Sequence, residues 1–279
     1  MVHASMMNIL LSQIFPIPQP ERFKLHLACW NGDDQPLDVF VSDRAEWDGW
    51  NAWRSGRDDF NREFIFSLID FYPQQDMWLF GGAYRIISRR NVNNSRAYDI
   101  EPLDEGTPFI GRMKISLKRP ARAKAVNFEN HYENLILAEI LPSPYSGEAF
   151  CGYDQIDIGF PMLEGIFAVQ RSDWKGALEH AKGVYLITDT SNGKRYVGSA
   201  YGVTGIWARW QCYVETGHGY NDELTRIIET NGKDYAHKNF RFALLEQRTM
   251  KTDDDVIIQR EKYWKDVLLT RGDYGYNKN

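Results

Sequence analysis

The feature that most constrains the fold of this chain is a strand–turn–strand pattern in its C-terminal third. Residues 183–187 read Gly-Val-Tyr-Leu-Ile, residues 189–194 read Asp-Thr-Ser-Asn-Gly-Lys, and residues 195–200 read Arg-Tyr-Val-Gly-Ser-Ala. An Asn-Gly pair between two apolar runs is typical of a β-hairpin. Such a hairpin places Tyr185 and Tyr196 on neighbouring antiparallel strands, close enough to serve one site.

Further candidate site residues follow this hairpin. Arg209 and Tyr213 are four residues apart in the next predicted helix, so they share one face of it. Residues 256–269 have the pattern of an amphipathic helix, with Glu261 in its middle. Asn277 lies in the short segment that comes after this helix. These polar residues are therefore candidates for a single site.

The tripeptides Gly-Val-Tyr and Tyr-Val-Gly resemble the two halves of the signature of the GIY-YIG nucleases. Ten residues separate Tyr185 from Tyr196, and Arg209, Glu261 and Asn277 follow in the order that this family uses. The resemblance covers about residues 182–279. It implies a small three-stranded antiparallel sheet flanked by helices, in a family of homing endonucleases, restriction enzymes and excision-repair nucleases.

The residue types themselves suit phosphodiester hydrolysis. This reaction needs an activated water, stabilisation of charge in the transition state and help for the leaving oxygen. Glu261 offers one carboxylate, which suits a single hard cation per active site, Mg²⁺ or Mn²⁺. Arg209 can fork onto phosphate oxygens. Tyr185 or Tyr196 can orient or deprotonate the water, if neighbouring charges lower a pKa that is about 10 in free tyrosine.

The resemblance implies a more specific division of roles. It favours Tyr185 as the general base, with Tyr196 and Tyr213 supporting the water and the phosphate. It also implies that Asn277 buttresses the site by hydrogen bonding. For each of these side chains the alternative is an ordinary structural role, and the residues alone leave the choice between Tyr185 and Tyr196 open.

Some positions depart from the family pattern or compete with it. Ser199 follows the second tripeptide, where some members carry lysine, so Lys194 or Arg195 is a candidate substitute for that cation. His218 lies in a loop between two glycines and is a candidate phosphate contact; an exposed loop histidine is the alternative. Glu246 is the main competitor of Glu261 for the role of the carboxylate.

The N-terminal part of the chain is predicted to be rich in β-strands. Seven apolar or alternating segments are predicted as strands: residues 23–28, 37–41, 63–72, 77–88, 98–102, 110–117 and 135–140. One helix is predicted after Asp43, which can cap it. We expect an α+β protein in which residues 1–172 form a β-rich, partly closed barrel, loosely PUA-like, with a wrapping connector at about 142–172. Residues 173–279 are expected to form the nuclease domain.

Charge and aromatic residues suggest that the N-terminal domain reads DNA. Residues 85–124 carry 10 basic and 4 acidic side chains, and the stretch from 112 to 124 has six cations and no carboxylate. The candidate DNA contacts in that stretch are Arg112, Lys114, Lys118, Arg119, Arg122 and Lys124. Trp50, Trp53 and Trp78 are candidates for stacking on a base. The alternatives are a solvated edge strand for the cations and a packed core for the tryptophans.

Composition limits the remaining classes. The chain has 279 residues, 43% of them hydrophobic and 14% aromatic, which excludes a disordered protein. No apolar run approaches the length of about 20 residues that spans a bilayer, so no membrane partner is expected. The sequence predicts a cytoplasmic, metal-dependent endonuclease that acts on double-stranded DNA. The predicted setting is restriction or phage defence, and one form of this prediction is an enzyme that depends on a base modification. A repair or structure-specific nuclease and a DNA-binding protein with an inactive nuclease module are the alternatives. Double-strand cleavage by a single-site enzyme would call for a homodimer or sequential nicking.

Overall fold

A computed structural model describes residues 8–278 of the protein. The chain divides into two compact units between Tyr145 and Ser146. Within the described residues, no helix is both long enough and apolar enough to cross a membrane.

The first unit is built on a mixed nine-stranded sheet. Its strands are β1 (Ile9–Leu10), β2 (Phe23–Ala28), β3 (Trp53–Ser55), β4 (Phe64–Asp70), β5 (Met77–Val92), β6 (Ser95–Pro102), β7 (Met113–Ser116), β8 (Ala125–Asn127) and β9 (Ile136–Ile140). The order is β1-β9-β7-β5-β4-β2-β8, with β6 pairing both β5 and β3. Only the β2–β4 pair is parallel among the described strands. Its helices are α1 (Leu11–Ile14), α2 (Pro36–Ser42) and α3 (Arg44–Ala52).

Two expectations for this unit need correction. The described strands do not close into a barrel, because β1 and β8 end the sheet without pairing with each other. The strand predicted at residues 37–41 is wrong, because this segment lies in the helix α2. A short, fully apolar run has no periodicity that separates a buried helix from a buried strand, and the signal was Pro36 at the first helical position.

The helix predicted after Asp43 is confirmed as α3. The Asp43 carboxylate accepts hydrogen bonds from the backbone N–H groups of Ala45 and Glu46, at 2.9 and 3.0 Å. These groups have no partner inside the helix, so the aspartate satisfies two donors at its start. Trp47 is buried on the inner face of α3, and its indole N–H donates to the carbonyl of Gly81.

The second unit has helices on both faces of a small antiparallel sheet. Its strands are β10 (Asp157–Gly159), β11 (Ala181–Asp189), β12 (Arg195–Ala200) and β13 (Phe240–Thr249), in the order β10-β13-β11-β12. Its helices are α4 (Phe160–Ala168), α5 (Ser172–Glu179), α6 (Gly205–Thr216), α7 (Asp222–Asn231), α8 (Asp234–Asn239) and α9 (Asp254–Val267). Tyr185 and Ile187 pack on the face covered by α6, whereas Val184 and Leu186 pack on the face covered by α9.

The sheet therefore has four strands where three were expected. The extra strand, β10, comes from the Pro- and Gly-rich segment predicted as a connector, and the buried Ile158 lies within it. The same segment supplies the Glu148 carbonyl that accepts the indole N–H of Trp174, at 2.9 Å. Residues 146–172 accordingly belong to the second unit, and the predicted boundary at residue 172 lies inside it.

Candidate active site

The glycines of the two tripeptides are required by close packing around the β11–β12 hairpin. Tyr185 pairs with Gly198 across the hairpin. A Cβ atom on Gly198 would lie 2.5 Å from the ring and hydroxyl of Tyr185. A Cβ atom on Gly183 would lie 2.1 Å from the carbonyl oxygen of Glu246 on β13. A side chain at Gly183 would push against the backbone of β13, and one at Gly198 would displace the Tyr185 ring, which explains why glycine occupies both positions.

Arg209 of α6 is held by tyrosine and backbone oxygens at the centre of the site. Its Nε donates to the hydroxyl of Tyr185 at 3.0 Å, and its Nη1 donates to the carbonyl of Gly219 at 2.9 Å. Its Nη2 lies 3.3 Å from both the hydroxyl of Tyr213 and the Oδ1 of Asn221. The guanidinium is therefore fixed in place by the protein itself before a substrate binds.

Asn221 joins Tyr196 and Tyr213 to this arginine, and sequence reasoning missed it. Its Nδ2 donates to the hydroxyl of Tyr213 at 2.7 Å, and its Oδ1 accepts the hydroxyl of Tyr196 at 2.5 Å. Asn221 is also the N-cap residue of α7, yet its side chain makes no capping hydrogen bond there. Asparagine is favoured at that position because it caps, at about 1 kcal/mol. The available signal was Asn221 before an acidic first turn, but that signal points to capping alone.

Burial and neighbouring charges shift the pKa values of these groups. Burial raises the pKa of Tyr185, while Arg209 and the hydrogen bond from Tyr213 work in the opposite direction. Burial also raises the pKa of Tyr196, and the nearby Tyr185 adds to this increase. Burial works to lower the pKa of Arg209, but the surrounding tyrosine oxygens outweigh it, so the pKa is raised overall. Arg209 is therefore a permanent cation.

Glu261 of α9 reaches the same cleft from the other side of β12. The cleft has a volume of about 510 Å³, and Tyr185, Tyr196, Ser199, Arg209 and Glu261 are among its lining residues. One carboxylate oxygen of Glu261 accepts the hydroxyl of Ser199, and the other lies 2.7 Å from the Nζ of Lys265. Both contacts orient the carboxylate, and neither Ser199 nor Lys265 was predicted from the sequence to do so.

The donor set around Glu261 fits one hard cation that keeps most of its waters. No group of three or more His, Cys, Asp or Glu side chains that could hold a metal occurs within residues 8–278. Each carboxylate oxygen of Glu261 has two lone pairs, so one remains on each after the contacts with Ser199 and Lys265. A single carboxylate plus waters is a common way of binding Mg²⁺. Glu246 does not compete, because its carboxylate binds Arg260 and the indole N–H of Trp264.

Asn277 binds the backbone of the strand that carries Tyr196. Its Oδ1 accepts the N–H of Val197 and its Nδ2 donates to the carbonyl of Val197, both at 2.9 Å. The preceding Tyr276 donates its hydroxyl to the buried carboxylate of Asp189 at 2.6 Å. Tyr276 and Asn277 therefore hold the segment after α9 against both β12 and the turn before it, which is a positioning role.

The three predicted DNA-contact residues near this site lie away from its centre. Lys194 lies over the ring of Tyr276, at 5.8 Å, and Arg195 is exposed at the start of β12. The Nδ1 of His218 accepts the backbone N–H of Tyr220 at 3.0 Å. None of the three lines the 510 Å³ cleft.

The basic stretch at residues 112–124 lies in the first unit, and half of its cations have partners within that unit. Arg112 donates to the carbonyl of Leu141, and Arg119 donates to the carbonyl of Ala123, both at 2.8 Å. Lys114 is buried and forms an ion pair with Glu139 at 3.0 Å. The three remaining cations are exposed: Lys118, Arg122 and Lys124.

The candidate base-reading tryptophans also divide by burial. Trp78 is only 2% exposed, and its indole N–H donates to the carbonyl of Leu117 at 2.8 Å, so it is a core residue here. Trp50 is partly buried against the core formed by α2 and α3. Trp53 is 45% exposed on β3 and is the one of the three with a substantial free surface.

In chemical terms, the second unit holds a fixed cation among tyrosine hydroxyls, and a carboxylate lies across the same polar cleft. This arrangement is suited to binding an anionic ester.

No protein-family model matches the chain, and no curated protein matches it. Among solved structures, the catalytic domain of the homing endonuclease I-TevI is similar, with 32% identity. That match covers 35% of this chain and 98% of the domain, with a TM-score of 0.28. A mutant form of the same domain matches with 30% identity over 36% and 94%, also with a TM-score of 0.28.

Proposed function

We propose that this protein is a DNA endonuclease that hydrolyses phosphodiester bonds with the help of a divalent metal ion. The observation that carries the proposal is the convergence of Tyr185, Tyr196, Arg209 and Glu261 on one polar cleft. They come from β11, β12, α6 and α9, so no single element brings them together. A cation, an anion and two hydroxyls are the groups that this hydrolysis needs.

Arg209 supplies positive charge where negative charge develops on the phosphate. Its contacts with Tyr185, Tyr213, Gly219 and Asn221 hold the guanidinium before substrate arrives. A charge that needs no reorganisation during the reaction stabilises the transition state more than a mobile one. The Gly219 carbonyl and the Asn221 amide thereby act as positioning groups.

The hydrogen-bond directions favour Tyr185 over Tyr196 as the general base. The Tyr213 oxygen already accepts from Asn221 and Arg209, so its two lone pairs are used and it donates to Tyr185, 3.0 Å away. Tyr185 therefore accepts two hydrogen bonds, which stabilise its phenolate, and its own proton is not donated to Tyr213. Tyr196 instead donates its proton to Asn221. Tyr185 is thus the hydroxyl that can take a proton from water once it is ionised.

Glu261 is the residue that would hold the metal, as Mg²⁺ or Mn²⁺, one ion per site. When bound, such a cation supplies Lewis-acid charge to the phosphate and lowers the pKa of its waters. Ser199 and Lys265 orient the carboxylate from two sides.

The setting that we propose is restriction or defence against foreign DNA, with dependence on a base modification as one form of it. A separate β-rich unit in the same chain as a nuclease unit suits a targeted enzyme, since a small nuclease module by itself buries little duplex. A repair or structure-specific nuclease is the second candidate. One active site cuts one strand at a time, so cutting both strands requires a homodimer or two successive nicks.

The proposal is tested by incubating the full chain with Mg²⁺ or EDTA and supercoiled DNA. One DNA panel is unmodified, and the other comes from phages with modified bases. We expect nicked or linear product with Mg²⁺ and none with EDTA. Selective cutting of one modified DNA would support the defence role, and cutting only at branched structures would support repair. Binding without cutting on every DNA would instead indicate an inactive nuclease module.

The rate of cleavage is expected to rise with pH because the base is a tyrosine. The pKa of Tyr185 is raised by burial, so its ionised fraction is small at neutral pH and grows about tenfold per pH unit below that pKa. The logarithm of kcat/KM should therefore increase from pH 7 to pH 9 without a plateau, and Tyr185→Phe should remove the slope. A flat profile in the unsubstituted protein would mean that Tyr185 only positions the water.

A further inference from the structure

The β5–β6 hairpin in the first unit extends beyond β4, and among the described strands only β3 accompanies it towards its tip. The strand β4 pairs with β5 only as far as Arg85, and within the described residues β5 pairs with β6 alone from Ser88 to Val92. The short strand β3 lies beside β6 over three residue pairs. We refer to residues 88–99 as the ribbon. Its tip is a two-residue turn in which Asn93 and Asn94 have φ values of 43° and 62°, as a type I′ turn requires.

The composition of the ribbon differs from that of an ordinary exposed hairpin. Residues 89–96 read Arg-Arg-Asn-Val-Asn-Asn-Ser-Arg, so six of eight are arginine or asparagine, with no carboxylate and no lysine. Arg57 adds a further cation at the tip, because the N–H of the preceding Gly56 donates to the carbonyl of Asn94 at 3.0 Å. Where the charge on an exposed edge strand serves only to prevent aggregation, the charged residue is typically lysine. Arginine and asparagine are the side chains that pair in bidentate fashion with guanine and adenine.

The carboxylates nearest the ribbon do not neutralise all of its arginines. Asp99 pairs with Arg90 at 2.6 Å, and Asp58 accepts the hydroxyl of the buried Tyr98 at 2.8 Å. Arg57 and Arg96 form no ion pair within the described part of the chain. Arg90 keeps 62% of its side chain exposed in spite of its partner. The tip therefore presents unneutralised positive charge to solvent.

We infer that this ribbon is the surface through which the first unit contacts duplex DNA. The inference rests on the proposed function and adds the location of the DNA contact. Arg57, Arg90 and Arg96 contact phosphates, and Asn91 and the turn asparagines face the base edges. The charge of the ribbon is complementary to the DNA backbone.

The ribbon is braced at its tip, because β3 pairs with Ser95, Arg96 and Ala97 of β6. The exposed arginines and asparagines are therefore presented from a paired sheet edge rather than from a free loop. By contrast, the stretch at 112–124 uses Arg112, Lys114 and Arg119 for contacts inside its own unit.

The test compares two triple variants of the full chain that remove the same charge. Both are made in the Glu261→Ala background, so that binding is measured without cleavage. One, the ribbon variant, carries Arg90→Ala and Arg96→Ala on the ribbon and Arg57→Ala next to its tip. The matched control carries Lys118→Ala, Arg122→Ala and Lys124→Ala, the exposed cations of the other basic stretch. Thermal unfolding of each variant checks that it is folded, and the Kd for a duplex is measured from 50 to 200 mM salt.

The ribbon variant should bind at least tenfold more weakly at about 100 mM salt, and the slope of log K against log salt should fall by about 2 to 3. The control should bind within about threefold of the parent, with its slope unchanged. Equal weakening in both variants, or a larger effect in the control, overturns the inference. If the ribbon substitutions leave cleavage unchanged in a chain that keeps Glu261, the inference is overturned and the proposed function stands. Absence of both binding and cleavage would remove the two together.

Discussion

Replacing Glu261 by alanine should lower the rate of DNA cleavage by about 10³-fold or more and leave DNA binding within about threefold. Glu261 is the carboxylate in the cleft shared by Tyr185, Tyr196 and Arg209, and Ser199 orients it. A factor of 10³ corresponds to about 4 kcal/mol of transition-state stabilisation, which is within the range that a bound metal supplies. The measurement is the rate of nicking of supercoiled DNA over a range of Mg²⁺ concentrations, with binding measured in parallel.

The matched control for this prediction lies on the same helix. Asp255 is an exposed carboxylate in the first turn of α9, so Asp255→Asn removes the same charge without touching the cleft. It should cleave within about twofold of the unsubstituted protein. Glu246→Gln gives a second comparison, because it removes the negative charge that pairs with Arg260 and should reduce stability rather than metal dependence. Cleavage that survives Glu261→Ala would mean that the metal is held elsewhere.

Replacing Arg209 should have the second large effect, and lysine should not rescue it. The guanidinium donates to the hydroxyl of Tyr185, the hydroxyl of Tyr213 and the carbonyl of Gly219 from three different nitrogens. A lysine ammonium is a single point and cannot span these acceptors in one geometry. We expect both Arg209→Ala and Arg209→Lys to lower kcat by roughly 10²- to 10³-fold. Single-turnover kinetics with saturating protein would measure this loss in the chemical step.

The control for Arg209 is an arginine that carries the same charge but lies outside the candidate site. Arg226 on α7 is 76% exposed and pairs with Glu223 one turn away, so Arg226→Lys should leave the rate unchanged. Arg209→Ala also removes a donor from each of two buried tyrosine hydroxyls, which costs about 1–3 kcal/mol of stability. Melting curves must show that the variant is folded at the assay temperature. A folded Arg209→Lys protein with full activity would contradict the role of a fixed, forked cation.

The sequence was most informative where a local pattern has a local cause. The β11–β12 hairpin and the helices α6 and α9 follow from hydrophobic period and turn residues. The helix α3 follows from its Asp43 cap. Local signals failed for α2, because a short apolar run fits a strand as well as a buried helix. They also failed for the nine-stranded sheet, because pairing partners distant in sequence leave no trace in any one strand.

The candidate site shows the same division. Tyr185, Tyr196, Arg209 and Glu261 could be named from residue type, spacing and family resemblance alone. What only the tertiary structure decided is the set of partners that hold them: Asn221, Gly219, Ser199 and Lys265. Lys265 pairs with Glu261 along the same helix, but Asn221, Gly219 and Ser199 bond to groups on other elements, so their roles depend on distances across the fold. A sequence records which side chains are available, but the direction in which each one donates or accepts is set when the elements pack.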